Sequence, residues 1–217
     1  MHSVRMDPYP MTTNLYTPTD SAKKIGVVLA GGKSSRMGCD KALLRLGNTP
    51  LLLHARALLQ VAGCGQVLMS GERRPEWLDE HVSDLAPSSG PVGGIISVIH
   101  QITNHARPEL TMLFIAVDTP LLSSELLRSL IDNAEFDGCA IDDTPMPVAL
   151  RITDEVLKQC AATLPDLLSG KSCSIKRFLQ PLNLMHLEQT HAIKPQLTNV
   201  NTPAEWEGLC RELENRA

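Results

Sequence analysis

The chain has 217 residues, 43% of them hydrophobic but only 3% aromatic, which suits one globular domain with an aliphatic core. Charged residues make up 20% and the formal net charge is −4, which argues against a nucleic-acid-binding protein that works through bulk positive potential. Any anion that this chain binds must therefore be held by local geometry.

From Lys24 onward, short apolar runs alternate with longer periodic segments. The short runs predict buried strands at 25–30, 66–71, 110–117, 139–142, 147–152 and 183–188. The periodic segments predict helices at 49–63, after the loop 88–94, at 123–134, from Asp154 to about Pro165, at 176–179 and at 202–217.

Capping residues indicate where two of these helices begin. Thr49 is expected at the N-cap and Pro50 at the first helical position of the helix that stops at Gly63. Thr202 and Glu205 form a capping-box pattern at the start of the last helix.

Strands that alternate with helices and read as unbroken apolar runs imply a parallel sheet covered on both faces. The predicted fold is therefore α/β, a single Rossmann-like domain of three layers (α/β/α) with a mostly parallel sheet. In such folds ligands bind beyond the carboxyl ends of the strands. The loop 31–41 and the loop that opens at Asp118 both follow strands directly, so we expect them on the same edge of the sheet.

The cysteine spacing and the lengths of the apolar runs indicate the cellular compartment. Six cysteines lie far apart, with no CxxC pair and no Cys/His cluster, which predicts small buried residues in a reducing compartment. No apolar run reaches transmembrane length, and residues 1–23 lack the apolar stretch of a secretory signal. We expect a cytoplasmic protein without membrane or nucleic-acid contact, with a flexible tail at 1–23 and one domain at 24–217.

The loop after the first strand matches neither of two common phosphate-binding motifs. A P-loop has the spacing GxxxxGK[ST], and counted from Gly26 its lysine would fall on Gly32. The dinucleotide fingerprint GxGxxG is absent as well. This loop therefore indicates neither a P-loop ATPase nor a dehydrogenase.

Its residues nevertheless suit a phosphate-bearing ligand. Gly31 and Gly32 allow a ligand to approach main-chain N–H groups closely. Arg36 supplies a planar fork and Lys41 a point charge for phosphate oxygens. The alternative is an exposed turn with hydrated cations, which we favour for Lys33 alone.

The stretch LAGGKSSRMGCDKALL (29–44) resembles the LAGGxSxRMGxDK signature of nucleotidyltransferases with the nucleotide-diphospho-sugar transferase type of fold. It is most similar to the molybdenum cofactor guanylyltransferases, the MobA-like nucleotidyltransferases. Three further segments resemble that family in order and spacing, namely SDLAPSSGPVGGI (83–95), VDTPLL (117–122) and NVNTPAEW (199–206). The resemblance spans roughly residues 24 to 210, nearly the whole predicted domain.

The resemblance implies roles for individual residues. The resemblance implies that the guanine nucleotide is bound by Leu29, Ala30, Gly31, Gly32, Lys41, Ser70, Asp84 and Asp118. Lys41, Arg36 and Asp118 are the implied catalytic residues, and Asn199 and Asn201 the implied contacts to the second substrate. Without the resemblance, Asp84 would read as a solvated or turn-capping residue, and both asparagines as residues that satisfy their own backbone.

Asp118 is the implied ligand of Mg²⁺, the one expected cofactor. A carboxylate at the end of a buried strand is costly without a partner, and an oxygen-preferring cation would supply one. The alternative is an N-cap of the helix that begins near Ser123, although Pro120 and Leu121 intervene.

Two positions depart from the family pattern. Ser70 stands where the family often has Asn, which puts a ribose or base contact in question. The stretch TPMPVALR (144–151) lacks the His of the family's His-Pro-x-x-Ala-Leu segment and is one residue shorter. This second departure bears on the acceptor pocket more than on the nucleotide pocket.

The implied reaction transfers GMP from GTP to molybdenum-molybdopterin and releases pyrophosphate. The expected partners are these two substrates, with transient contacts to proteins that donate or receive the cofactor. Three alternatives stay open: a molybdopterin cytidylyltransferase, a nucleotidyltransferase acting on another phosphorylated acceptor, and a non-catalytic protein that binds the nucleotide or the cofactor.

Overall fold

The computed structural model describes residues 24–31, 40–104 and 109–214. The predicted tail at 1–23 lies outside these residues. None of the described helices is long and apolar enough to cross a membrane.

Nine strands and six α-helices follow one another along the described chain. The strands are β1 (Lys24–Leu29), β2 (Arg45–Leu46), β3 (Thr49–Pro50), β4 (Gln66–Ser70), β5 (His81–Val82), β6 (Thr111–Ala116), β7 (Gly138–Ile141), β8 (Thr144–Arg151) and β9 (Leu184–Leu187). The helices are α1 (Leu51–Val61), α2 (Gly90–Thr103), α3 (Ser124–Asp132), α4 (Asp154–Leu168), α5 (Ile175–Leu179) and α6 (Pro203–Glu214). Within the described residues, short 3-10 helices are found at Lys41–Leu43 and Lys194–Leu197.

The central sheet has the strand order β5-β4-β1-β6-β8. Its first four strands run parallel, whereas β8 is antiparallel to β6. The parallel pair β7–β9 belongs to the same sheet. In the register of β1, Leu29 pairs with Ser70 on one side and with Ala116 on the other, so three neighbouring parallel strands end at the same level. The predicted α/β fold with a mostly parallel sheet is confirmed.

Helices cover both faces of this sheet because consecutive strand residues point to opposite sides. Ile25 and Val27 of β1 pack with the buried residues of α2, α4 and α5, whereas Val28 packs with those of α1 and α3. In β6, Met112 and Phe114 alternate in the same way with their neighbours along the strand. Two aliphatic cores therefore hold the three layers together and leave the strand ends free to carry polar side chains.

The predicted start of the first helix is wrong. Thr49 and Pro50 form β3, which pairs with Leu46 and Arg45 of β2. The helix begins at Leu51, and Pro50 takes the N-cap position without a side-chain hydrogen bond. Local capping rules assign Thr49 and Pro50 to the helix, but both residues form a strand of a tight β-hairpin instead.

Two other predicted boundaries also differ. Helix α4 continues through Pro165 to Leu168, since Leu167 in its last turn is buried against the core. The loop after β5 is shorter than expected, because α2 already begins at Gly90. By contrast, the capping box of α6 is confirmed: the backbone N–H of Glu205 donates to Thr202 Oγ1 at 3.3 Å and the N–H of Thr202 donates to Glu205 Oε2 at 3.0 Å.

Candidate functional site

A cavity of about 350 Å³ opens at the carboxyl ends of β1, β4 and β6. This is the edge of the sheet at which the sequence predicts ligand binding. The predicted site residues that line it are Leu29, Ala30, Gly31, Lys41, Ser70, Asp84, Asp118 and Asn199. Gly32 and Arg36 lie outside the described residues.

The charged centre of the cavity is an ion pair between Lys41 and Asp118. Lys41 Nζ lies 3.1 Å from Asp118 Oδ2 and donates a second hydrogen bond to Asn201 Oδ1 at 2.8 Å. Only 17% of the Lys41 side chain and 21% of the Asp118 side chain are exposed. Two oxygen atoms from distant parts of the chain therefore converge on one cationic group beside the cavity.

The segment before α6 is held against the end of β6. The backbone N–H of Val200 donates to the carbonyl oxygen of Asp118 at 2.9 Å. The backbone N–H of Asn201 donates to Glu205 Oε2 at 2.6 Å, and this bond is the main reason that the pKa of Glu205 lies below its usual range. The cap of α6 thus positions the amide side chain that reaches Lys41.

Asp84 occupies the neighbouring part of the cavity, where Ser70 Oγ donates to its Oδ1 at 3.2 Å. Burial raises the pKa of the Asp84 carboxyl, and the hydrogen bond from Ser70 partly opposes that rise. A Cβ atom on Gly31 would come within 3.3 Å of Asp84 Oδ2. The main chain of Gly31 therefore passes close to this carboxylate.

The N-terminus of α2 faces the same cavity through Gly90, Pro91 and Gly94. A Cβ atom on Gly94 would lie 2.5 Å from Ser70 Oγ, so glycine is needed for the helix to approach β4. The first N–H groups of a helix lack partners within it and carry partial positive charge, which favours anions. The glycines that the sequence places in a loop therefore serve as the first turns of a helix beside the cavity.

Part of the cavity wall is less polar. It is formed by Thr144, Pro145, Met146, Ile175 and Leu197. The first three belong to the stretch that departs from the family pattern, so that departure falls on the wall of the cavity.

Sequence reasoning missed Arg74, whose side chain is 12% exposed. Its Nε donates to Asp40 Oδ2 at 2.7 Å, while its Nη2 donates to Asp40 Oδ1 at 3.2 Å and to the carbonyl oxygen of Ala30 at 2.9 Å. Arg74 follows another arginine in the polar stretch GERRPEW, and no local pattern distinguishes the two.

Asp118 does not cap the following helix. Ser123 takes that position, and its Oγ accepts a hydrogen bond from the backbone N–H of Leu126 at 3.2 Å. Within 24–31, 40–104 and 109–214, no group of three or more His, Cys, Asp or Glu side chains could hold a metal ion. Among the described residues, a cation at this site would therefore have at most two such side chains as ligands, together with other oxygen atoms.

The five described cysteines are free thiols. Burial raises the pKa of Cys64 and of Cys160 to about 12 and that of Cys139 to about 11. These three are the inert buried thiols that the sequence predicts, whereas Cys173 and Cys210 are only partly buried, so for these two the prediction is wrong.

Residues 26–181 match the family described as the MobA-like NTP transferase domain. The chain belongs to this family. It is 36% identical over 187 residues to the molybdenum cofactor guanylyltransferase of Xanthomonas euvesicatoria pv. vesicatoria, covering 86% of this chain and 94% of that protein. A probable molybdenum cofactor guanylyltransferase of Carboxydothermus hydrogenoformans is 30% identical over 193 residues, covering 85% of this chain and 93% of the relative.

A solved structure of a MobA-like protein has the same fold. The molybdopterin-guanine dinucleotide biosynthesis protein A of Archaeoglobus fulgidus matches with a TM-score of 0.67 at 19% sequence identity, covering 89% of this chain and 100% of that one. The resemblance of the sequence to MobA-like nucleotidyltransferases is confirmed, and nucleotidyl transfer is the reaction class of the family. The roles of individual residues stay predictions.

Proposed function

We propose that this chain transfers GMP from GTP to molybdenum-molybdopterin, forming the guanine dinucleotide cofactor and releasing pyrophosphate. The observation that carries the proposal is the Lys41–Asp118 ion pair, which lines one cavity at the strand ends together with Leu29, Ala30 and Gly31. The names of its relatives support the same substrates. Transient contacts with proteins that donate or receive the cofactor belong to this proposal.

In the proposed reaction, an oxygen of the terminal phosphate of molybdopterin attacks the α-phosphorus of GTP. The bond from that phosphorus to the β-phosphate bridging oxygen breaks, and the electron pair leaves with pyrophosphate. No covalent bond to the protein is needed, because the acceptor phosphate is already an anionic nucleophile. The protein must bring two anions together and stabilise the charge that develops, so positioning and electrostatics dominate.

Among the described residues that line the cavity, Lys41 is the one with a cationic side chain, and we assign it to the triphosphate. The N-terminus of α2 adds N–H groups to the same cavity. Arg36 is assigned to the same phosphates by the sequence signature alone. Asp84, which can only accept hydrogen bonds when ionised, suits the N–H donors on the edge of guanine. The less polar wall at Thr144–Met146 is assigned to the acceptor, together with Asn199.

Asp118 Oδ2 and Asn201 Oδ1 are the ligands that would hold Mg²⁺. Both oxygens already converge on one positive group, the Lys41 ammonium, and carboxylate and amide oxygens with added water and phosphate oxygens suit this ion. Bound Mg²⁺ would supply charge neutralisation at the phosphate oxygens. Lys41 would then turn its ammonium from Asp118 toward the nucleotide.

The proposal is tested by incubating the protein with MgGTP and molybdenum cofactor and detecting the product by mass. The guanine dinucleotide and one equivalent of pyrophosphate are expected, and a parallel reaction with CTP should give no dinucleotide. Formation of the cytosine dinucleotide instead would make the protein a cytidylyltransferase. Binding of GTP and cofactor without pyrophosphate release would make it a non-catalytic binding protein.

A further inference from the structure

We propose that Arg74 is a positioning residue for the nucleotide, which neutralises Asp40 and fixes the main chain on both sides of segment 32–39. This inference rests on the proposed function, because it assumes that the cavity binds a nucleoside triphosphate. Arg74 itself is not among the residues that line the described cavity. It therefore acts through Asp40 and Ala30, both of which line it.

The geometry joins three parts of the chain through one guanidinium. Arg74 contacts both carboxylate oxygens of Asp40, at 2.7 and 3.2 Å, and the carbonyl oxygen of Ala30 at 2.9 Å. A further bond at 3.1 Å runs to the carbonyl oxygen of Glu72, which lies two residues beyond the end of β4. Because a guanidinium presents its donors in a rigid plane, these bonds fix Ala30 and Asp40 relative to each other.

Asp40 passes this constraint on to Lys41. Its Oδ1 accepts a hydrogen bond at 3.0 Å from the backbone N–H of Ala42, which caps the 3-10 helix Lys41–Leu43. The backbone of Lys41 is therefore held by a capping carboxylate that Arg74 orients. A lysine acting on phosphates depends on such support, since a small displacement of a charged group from its productive position weakens catalysis.

The charge of Asp40 gives Arg74 a second role. A carboxylate that lines a cavity meant for a triphosphate repels that ligand unless a cation compensates it. Arg74 supplies that cation without lining the cavity itself, and only 12% of its side chain is exposed. Removal of Arg74 would leave the negative charge of Asp40 beside the phosphates, whereas simultaneous removal of both charges would not.

The test measures the dissociation constant of MgGTP for the full chain by calorimetry, together with the thermal midpoint of each variant. Arg74→Ala should weaken binding about tenfold, the effect of losing a charge-assisted hydrogen bond. Arg73→Ala is the matched control, because this neighbouring arginine is exposed and its removal changes the net charge equally. We expect Arg73→Ala to bind MgGTP within about twofold of the parent protein.

A double variant separates positioning from simple stabilisation of the fold. Asp40→Asn keeps an oxygen for the Ala42 cap and removes the charge, so Asp40→Asn/Arg74→Ala should bind MgGTP at least about threefold more tightly than Arg74→Ala. A purely structural role would lower the thermal midpoint of both variants and give no such rescue. If Arg74→Ala does not fold, Arg74→Lys replaces it and should bind about threefold more weakly than the parent, because an ammonium cannot hold all four oxygens.

The outcomes are distinct. Binding of MgGTP by Arg74→Ala, or by Arg74→Lys in its place, as tight as by Arg73→Ala overturns the positioning role and leaves the proposed function intact. Absence of MgGTP binding by the parent protein overturns both. A rescue of nucleotide affinity by Asp40→Asn supports the proposal.

Discussion

Two aspartates of this protein accept close hydrogen bonds in quite different surroundings. Asp137, before β7, is 7% exposed, and its oxygens accept from Thr153 Oγ1 at 2.6 Å and from the backbone N–H of Asn183 at 2.9 Å. Asp118, after β6, is more exposed, and its carboxylate pairs with a lysine beside a cavity.

The difference lies in how readily the partners can be exchanged. The partners of Asp137 are a short side chain, which is also the N-cap of α4, and a main-chain group, so they are fixed by the fold. The partner of Asp118 is a long lysine side chain that can turn to a ligand without moving the backbone. Burial and pairing alone therefore do not indicate a functional carboxylate, and the exchangeable partner at a cavity is the feature that supports the role proposed for Asp118.

Asp118→Ala should have the greatest effect on activity. Loss of the carboxylate should lower Mg²⁺-dependent release of pyrophosphate by a factor of about 100 or more, while the thermal midpoint changes little because the side chain is partly solvated. Asp118→Asn, which keeps the shape and removes the charge, should also be strongly impaired. Turnover at the parent rate in Asp118→Ala would refute the metal assignment.

Lys41→Met tests the other half of the ion pair. Replacing the ammonium by an uncharged side chain of similar length should lower kcat/KM for GTP about 30-fold or more. Lys24→Met is the matched control, because Lys24 pairs with Asp132 on the surface, where the two side chains are 42% and 54% exposed. Equal kinetics for the two variants would show that Lys41 has no special role.

Asp137→Ala should show the reverse behaviour. Two hydrogen bonds to a buried carboxylate are lost, so the free energy of unfolding should fall by about 3 kcal/mol without a change in turnover per folded molecule. Chemical denaturation and active-site-normalised kinetics measure the two quantities. Asp142→Ala, which removes a half-exposed partner of His186, should leave stability nearly unchanged. An Asp137 variant that is stable but inactive would contradict the structural role.

A third carboxylate, that of Asp84, should make the free energy of unfolding depend weakly on pH. Because burial raises the pKa of this carboxyl in the folded protein, its contribution to stability is present at acid pH and is lost as the pH rises through the folded-state pKa. Asp84→Asn cannot ionise, so its stability relative to the parent should be higher at neutral pH than in acid. Urea unfolding at both pH values measures this difference, and the opposite trend would show that the carboxylate is stabilised by pairing.

The fold was predictable because its determinants are local. The apolar runs of β1 and β6 alternate between two cores, and each run is followed at once by polar residues at the sheet edge. The position of Asp118 at the edge follows from the same reasoning. The start of α1 was not predictable from capping rules, because the pairing of Thr49 and Pro50 with β2 competes with the cap.

The contacts within the site were less predictable because they join distant residues. Lys41 meets Asp118 across 77 positions and Asn201 across 160, and periodicity carries no information on such pairs. Arg74 and Arg73 are identical in type and adjacent in sequence. Only the folded position of Ala30 and Asp40 distinguishes them.

The hydrogen bond between Lys41 and Asn201 also has a consequence for biosynthesis. A ribosome must synthesise the chain through Asn201, and the residues of the α6 cap must leave the exit tunnel, before this lysine can find its amide partner. A nascent chain that already contains both lysine and aspartate therefore still lacks the third member of the cluster.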